Sequence, residues 1–130
     1  MESQLDKLEN STYDCFNDMD MMTVGMYGKG LVGKAGMTYE HYVNQFLGWA
    51  FCGSPLIIGA DVTKMDADCE KLLLNKDIIA INQDEECRPP FRIYDYYKRG
   101  HVMARLLSGG DVAVLCANFH PVEEKEGEPL

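Results

Sequence analysis

The sequence predicts an α/β chain in two parts: a parallel βα segment over residues 1–90, then the start of an antiparallel β segment over residues 91–130. Three observations carry this. An amphipathic helical stretch is followed by Leu56-Ile57-Ile58, a short run apolar on both faces, which is the pattern of a buried parallel strand. Arg88-Pro89-Pro90 then breaks any helix and marks a boundary. Beyond it lie three strand-like runs, the last two separated by a glycine turn, as in an antiparallel sheet.

Taken in order, residues 1–12 are polar and read as the end of a helix, and residues 13–17 as a short strand. From Met21 to Thr38 the chain reads as a loop, with Gly25, Gly28, Gly30, Gly33 and Gly36 recurring without an apolar period. Tyr39, Tyr42, Val43, Phe46, Leu47, Trp49 and Ala50 then share one helix face, with Glu40, His41, Asn44, Gln45 and Gly48 opposite. Thr38 stands at the N-cap, where its oxygen would satisfy a free amide. Gly53-Ser54-Pro55 ends the helix. After the Leu56–Ile58 strand, Asp66 caps a second helix with Cys69, Leu72 and Leu73 facing the core, and Asn75 ends it. Ile78, Ile79 and Ile81 form a further apolar helical turn. The later strands are expected over Phe91–Tyr96, His101–Leu107 and Val112–Phe119, with Ser108-Gly109-Gly110-Asp111 as the turn between the last two.

Composition narrows the function. The chain has 130 residues, about one domain's worth, with 46% hydrophobic residues and a net charge of −9. An acidic surface repels phosphate backbones, which argues against nucleic-acid binding. Part of the charge falls in the tail, at Glu123, Glu124, Glu126 and Glu128, which reads as solvated and mobile. No apolar run approaches the roughly 20 residues needed to cross a bilayer, so no membrane partner is expected. The first residues lack the charged-then-apolar order of a signal peptide. Cys15, Cys52, Cys69, Cys87 and Cys116 contain no CxxC pair, and reduced thiols in a cytoplasmic protein are the simplest reading. His41 falls on the polar helix face, while His101 and His120 fall on β elements. No metal-ligand spacing joins them, and no metal or cofactor is expected.

The informative stretch is Cys15-Phe16-Asn17-Asp18-Met19-Asp20-Met21-Met22-Thr23-Val24-Gly25. Its two acids suit sugar chemistry, because carboxylates hold hydroxyls by charge-assisted hydrogen bonds. It resembles the strand-seven motif Trp-Asn-Asp-Pro-Asp-Met of the α-galactosidases and α-N-acetylgalactosaminidases of glycoside hydrolase family 27. Phe16 stands for the tryptophan and Met19 for the proline, while Asn17, Asp18, Asp20 and Met21 match. Further motifs match in order: Gly36-Met37-Thr38, Trp49-Ala50, Ser54 to Asp61, Asn75 to Asp84, and Ser108 to Val114. The resemblance covers roughly residues 15–119.

The resemblance implies a fold made of the last two βα units of a (β/α)8 TIM barrel (residues 1–90) and the start of an antiparallel β-sandwich domain (residues 91–130). It implies a retaining α-galactosidase that removes terminal α-linked galactose from oligosaccharides, with a homo-oligomer possible for the intact enzyme. The family's nucleophile lies in a Lys-Tyr-Asp-x-Cys motif at strand four and its acid/base after strand six, both before residue 1. Tyr13-Asp14-Cys15 imitates the nucleophile motif, but no lysine precedes it and its cysteine follows Asp14 directly. Carried over, Asp20 binds sugar hydroxyls and Met21 packs against the sugar, and neither is catalytic.

Other readings stand beside this one. Asp18-x-Asp20 also matches a metal-binding DxD, although its flanking methionines offer a hard cation no oxygen. The two aspartates could instead brace a loop. Asp61, at a strand end, reads first as a cap and second as a functional group. The glycines of residues 25–36 fit no phosphate-binding spacing and read as a loop over the pocket. Trp49 reads as core rather than a sugar platform. Tyr94, Tyr96 and Tyr97 read as packing before stacking. The chain as a whole could be a non-catalytic carbohydrate-binding or assembly module that reuses the fold. Open parallel edges further imply that the isolated chain is poorly soluble or only loosely compact.

Overall fold

The computed structural model describes residues 10–29, 36–96 and 100–118. The expectations for residues 1–9, the loop centre at 30–35, Tyr97, Phe119, His120 and the acidic tail lie outside these residues. Among the described residues the chain is mixed α/β, with three helices followed by a three-stranded antiparallel sheet. Helix α1 spans Tyr39–Phe51, α2 Ala67–Leu73 and α3 Lys76–Asn82, with a 3₁₀ turn at Val62–Lys64 before α2. Strands β1 (Phe91–Tyr96), β2 (Gly100–Leu106) and β3 (Val112–Asn118) lie in that order, each antiparallel to the next.

Local chemistry accounts for these elements. Asp66 caps α2, accepting from the amides of Asp68 (3.1 Å) and Cys69 (3.0 Å). Asn75 does more than end α2: its side-chain oxygen accepts from Asp77 (3.1 Å) and Ile78 (3.2 Å), so it starts α3. Thr38 holds the N-cap position of α1 in a capping box with His41, and its hydroxyl also donates to Glu40 Oε2 (2.6 Å). His41 Nδ1 accepts from the Thr38 amide at 3.2 Å, so this surface histidine helps start the helix. The turn between β2 and β3 places Gly109 (φ 83°) and Gly110 (φ 90°) in the left-handed region that glycine enters without steric cost.

The core gathers Met22, Val24, Tyr42, Phe46, Cys69, Leu72 and Leu73. Partly buried Met37, Trp49, Leu56 and Met65 pack against it. All three core positions expected of α2 are buried. On α1 the expected apolar face is displaced at its edges, with Tyr39 exposed and Gly48 buried.

The expected strand over residues 13–17 is corrected. Thr12 and Cys15 close a tight turn, with the Thr12 amide 2.6 Å from the Cys15 carbonyl. Parallel pairing occurs further on, where Met22 pairs with Ile58. The Met22 amide donates to Ile57 O and the Gly59 amide to Met22 O, each at 2.8 Å. The second expected strand is thus present as a single bridge. Ile57 and Ile58 are exposed (48% and 40%) rather than buried on both sides, because among the described residues Met22 alone pairs with this run.

Helices and sheet meet through polar contacts. Arg105 on β2 is 1% exposed, and its Nη1 donates to the carbonyls of Ala50 (3.2 Å) and Phe51 (3.4 Å) at the end of α1. His101, buried on the same strand, has Nδ1 3.2 Å from Asp95 Oδ1 on β1, a partner that sequence alone did not supply.

Candidate functional site

The Asp18–Met22 segment forms a turn that the rest of the chain holds in place. Asp20 adopts φ 70°, in the left-handed region that aspartate tolerates better than most residues with a β-carbon. Its amide donates to Asp18 Oδ1 (2.8 Å), and its own Oδ1 accepts from the Met21 amide (2.7 Å). Two longer-range bonds fix the turn to α1 and its exit. The indole of Trp49 donates from Nε1 to Asp20 O at 2.7 Å. Ser54, buried just past the helix, accepts from the Met19 amide at 3.0 Å. Ser54 O in turn accepts from Asn82 Nδ2 of α3 at 2.9 Å, so three elements converge here.

The turn decides what faces outward. Asp20 and Met21 are both exposed, whereas Met22 is 1% exposed and enters the core. Adjacent residues of a regular strand would face opposite ways. The left-handed residue breaks that alternation, and both a carboxylate and a thioether are exposed in succession. Such a pair can accept hydrogen bonds from hydroxyls and pack against C–H groups.

The loop after the turn is also anchored. Gln45 Oε1 of α1 accepts from the Thr23 amide (2.9 Å) and hydroxyl (3.2 Å). The Tyr27 ring meets Tyr42 edge-on at 4.9 Å between centroids, and its hydroxyl lies 3.5 Å from Cys69 Sγ. That contact with sulfur raises the Tyr27 phenol above its usual value, with partial burial adding to it.

Other residues singled out in the sequence have structural roles. Asp61 accepts from the Thr63 hydroxyl (2.6 Å) and amide (3.1 Å) and lies 3.5 Å from Lys64. These bonds, the Thr63 hydroxyl first, hold its carboxyl below the usual range, and it caps the 3₁₀ turn as first expected. Tyr94 is exposed on β1. Asp14 is exposed on the Thr12–Cys15 turn. Among the described residues no three His, Cys, Asp or Glu side chains are grouped to hold a metal ion, and no helix is long and apolar enough to cross a membrane. A cleft of about 890 Å³ lies between Tyr13, Phe16, Ser54, Asp84, Cys87 and Arg105, and neither Asp20 nor Met21 lines it. Asp18 bracing the turn was one of the readings open in the sequence, whereas the roles of Trp49 and Ser54 in shaping it were not visible there. Each depends on where the folded backbone passes, and no spacing signals it.

Comparison with known proteins places this arrangement. A family model described as alpha galactosidase A matches residues 3–84. "Alpha-galactosidase 3" of Arabidopsis thaliana is 45% identical over 69 residues, covering 53% of this chain and 14% of that protein. The Schizosaccharomyces pombe α-galactosidase is 36% identical over 114 residues, covering 83% of this chain and 24% of that one. Among solved structures, a Bacteroides fragilis protein described as a candidate α-galactosidase/melibiase superposes with a TM-score of 0.84 and 35% identity. It is covered over 26% of its length, against 90% of this chain. The Saccharomyces cerevisiae α-galactosidase gives 0.76 and 27%, over 26% of its length and 88% of this chain. The chain thus spans between 14% and 26% of the length of these relatives. It belongs to the α-galactosidase family, glycoside hydrolase family 27, and carries a part of the length of that family's members.

Proposed function

We propose that the chain is the C-terminal part of a retaining α-galactosidase and supplies one wall of its galactose pocket. In this reading residues 1–90 are the last two βα units of a (β/α)8 barrel, and residues 91–130 open an antiparallel β domain. The observation that carries it is the joint exposure of Asp20 and Met21 on a turn pinned to α1, beside the parallel Met22–Ile58 bridge. Functional groups of such barrels stand at strand ends, on the loops that follow. Asp20 accepts hydrogen bonds from sugar hydroxyls, and Met21 packs against the apolar face of the ring.

The hydrolytic chemistry belongs to carboxylates outside this chain. Retaining hydrolysis uses two carboxyl groups about 5–5.5 Å apart, one a nucleophile and one a proton donor. Asp18 Oδ1 and Asp20 Oδ1 each accept a neighbouring backbone amide. Both residues are exposed, without the apolar enclosure that a catalytic acid uses. They suit binding rather than bond cleavage.

Galactose titrated into the 130-residue chain tests the sugar-binding role. Binding that Asp20→Ala removes is the expected result. Binding that Asp20→Ala leaves intact would place the sugar elsewhere and end this assignment.

A further inference from the structure

Asp20 holds a backbone conformation that a β-carbon disfavours, and something must hold it there. Two of its hydrogen bonds are local to Asp18–Met21 and can form in a short peptide. The indole of Trp49 is different. It reaches Asp20 O from 29 residues away, on a helix fixed to the core by Tyr42 and Phe46. Ser54 holds the preceding residue, Met19, from the same side of the fold. The carbonyl of Asp20 is thus bound to a rigid donor, and the carboxylate is left facing out beside Met21.

We propose that Trp49 is a positioning residue, whose indole N–H locks Asp20 in its left-handed conformation so that Asp20 and Met21 meet the same sugar. This rests on the reading of Asp20 as a galactose ligand. Trp49 itself does not touch the sugar. Its ring, half-buried, packs with the core, and its one polar atom sets the direction of the binding carboxylate. Without the indole donor, Asp20 relaxes toward an extended backbone. Asp20 and Met21 then turn to opposite faces, and only one of them can reach a ligand.

The test compares the full 130-residue chain with Trp49→Phe, which keeps a ring and deletes the donor. Amide NMR spectra are recorded with and without galactose. In Trp49→Phe the three-bond amide–Hα coupling of Asp20 is expected to leave its left-handed value. The galactose response of Asp20 and Met21 weakens about fivefold, the size of one hydrogen bond. The amide signals of Phe46 and Leu72 in the core stay in place. A ring that served packing alone would move those core signals and Asp20 together. An unchanged Asp20 coupling would overturn the proposal, and so would loss of the core signals in Trp49→Phe. A native chain that ignores galactose would instead defeat the sugar reading, while the Asp20 coupling in Trp49→Phe still decides the positioning role.

Discussion

The carboxylate of Asp84, just past α3, accepts from both the amide (2.8 Å) and the hydroxyl (2.7 Å) of Ser108, at the end of the β2 region. Its second oxygen accepts from the Glu86 amide (3.3 Å). Burial opposes its charge, but the Ser108 bonds, the Glu86 amide and the nearby Arg105 outweigh that and hold the carboxyl below its usual range. A depressed folded value means that this contact is fully present above the unfolded carboxylate pKa, about 3.9, and is lost as pH falls through the folded value. Asp84→Ala should remove about 2 kcal/mol from the latch. The Ser108 amide would then exchange with solvent roughly thirtyfold faster, measured by hydrogen exchange at neutral pH. In the native chain that protection, corrected for intrinsic rates, should fade on acidification below about pH 4. Arg105 lies close by, and burial pulls its guanidinium below its usual value against the pull of Asp84. Arg105→Met should cost about 3 kcal/mol, because it strips a donor from Ala50 and Phe51 and a counter-charge from Asp84. A lowered urea midpoint checks this. At this scale the caps were legible: Asp61 and Asp66 each precede a helical turn, and short acidic side chains there have few better partners than free amides. The indole of Trp49 was half legible. Its spacing placed it toward the core, but no periodicity reveals that its nitrogen reaches Asp20.

Helix α1 was the clearest element in the sequence, because its apolar residues recur at the helical period. The edges of its face were misjudged. α2, α3 and β3 all touch α1, so more of its circumference is covered than one stripe, and Gly48 is buried. Phe46, 1% exposed, stands at the centre of that contact. Phe46→Ala should cost about 3–5 kcal/mol and abolish the cooperative loss of helical circular dichroism in urea. Asn75→Ala should be milder, at about 1 kcal/mol, and accelerate exchange of the Ile78 amide first. The strands after Pro90 were read nearly to their ends, since alternation and the Gly109-Gly110 turn leave little freedom of register. The earlier strand at residues 13–17 was misplaced. Tyr13 and Phe16 carry strand propensity, but propensity does not choose a partner, and Met22 is the residue that finds Ile58.

At the scale of the molecule, apolar surface remains open around the parallel bridge. Tyr13 is 71% exposed, Phe16 52% and Met21 54%, in addition to Ile57 and Ile58. Exposed apolar side chains in this number favour association with other surfaces or aggregation. The isolated chain should therefore self-associate, with a light-scattering mass above its 14.7 kDa and binding of a hydrophobic dye. A monomeric mass with no dye binding would contradict this. Family membership was legible because several motifs fall in one order along the chain, which no single motif conveys. The route by which helices and sheet join was not, since Asp84–Ser108 and Arg105–Ala50 link residues 24 and 55 positions apart. The proposed function has this chain holding sugar-binding residues of an α-galactosidase without its catalytic pair. Hydrolysis of a chromogenic α-galactoside by the purified chain, cleared of aggregate, tests it most directly. No turnover is expected. Turnover that disappears in Asp20→Ala would contradict it and make the aspartates of this chain the chemistry itself.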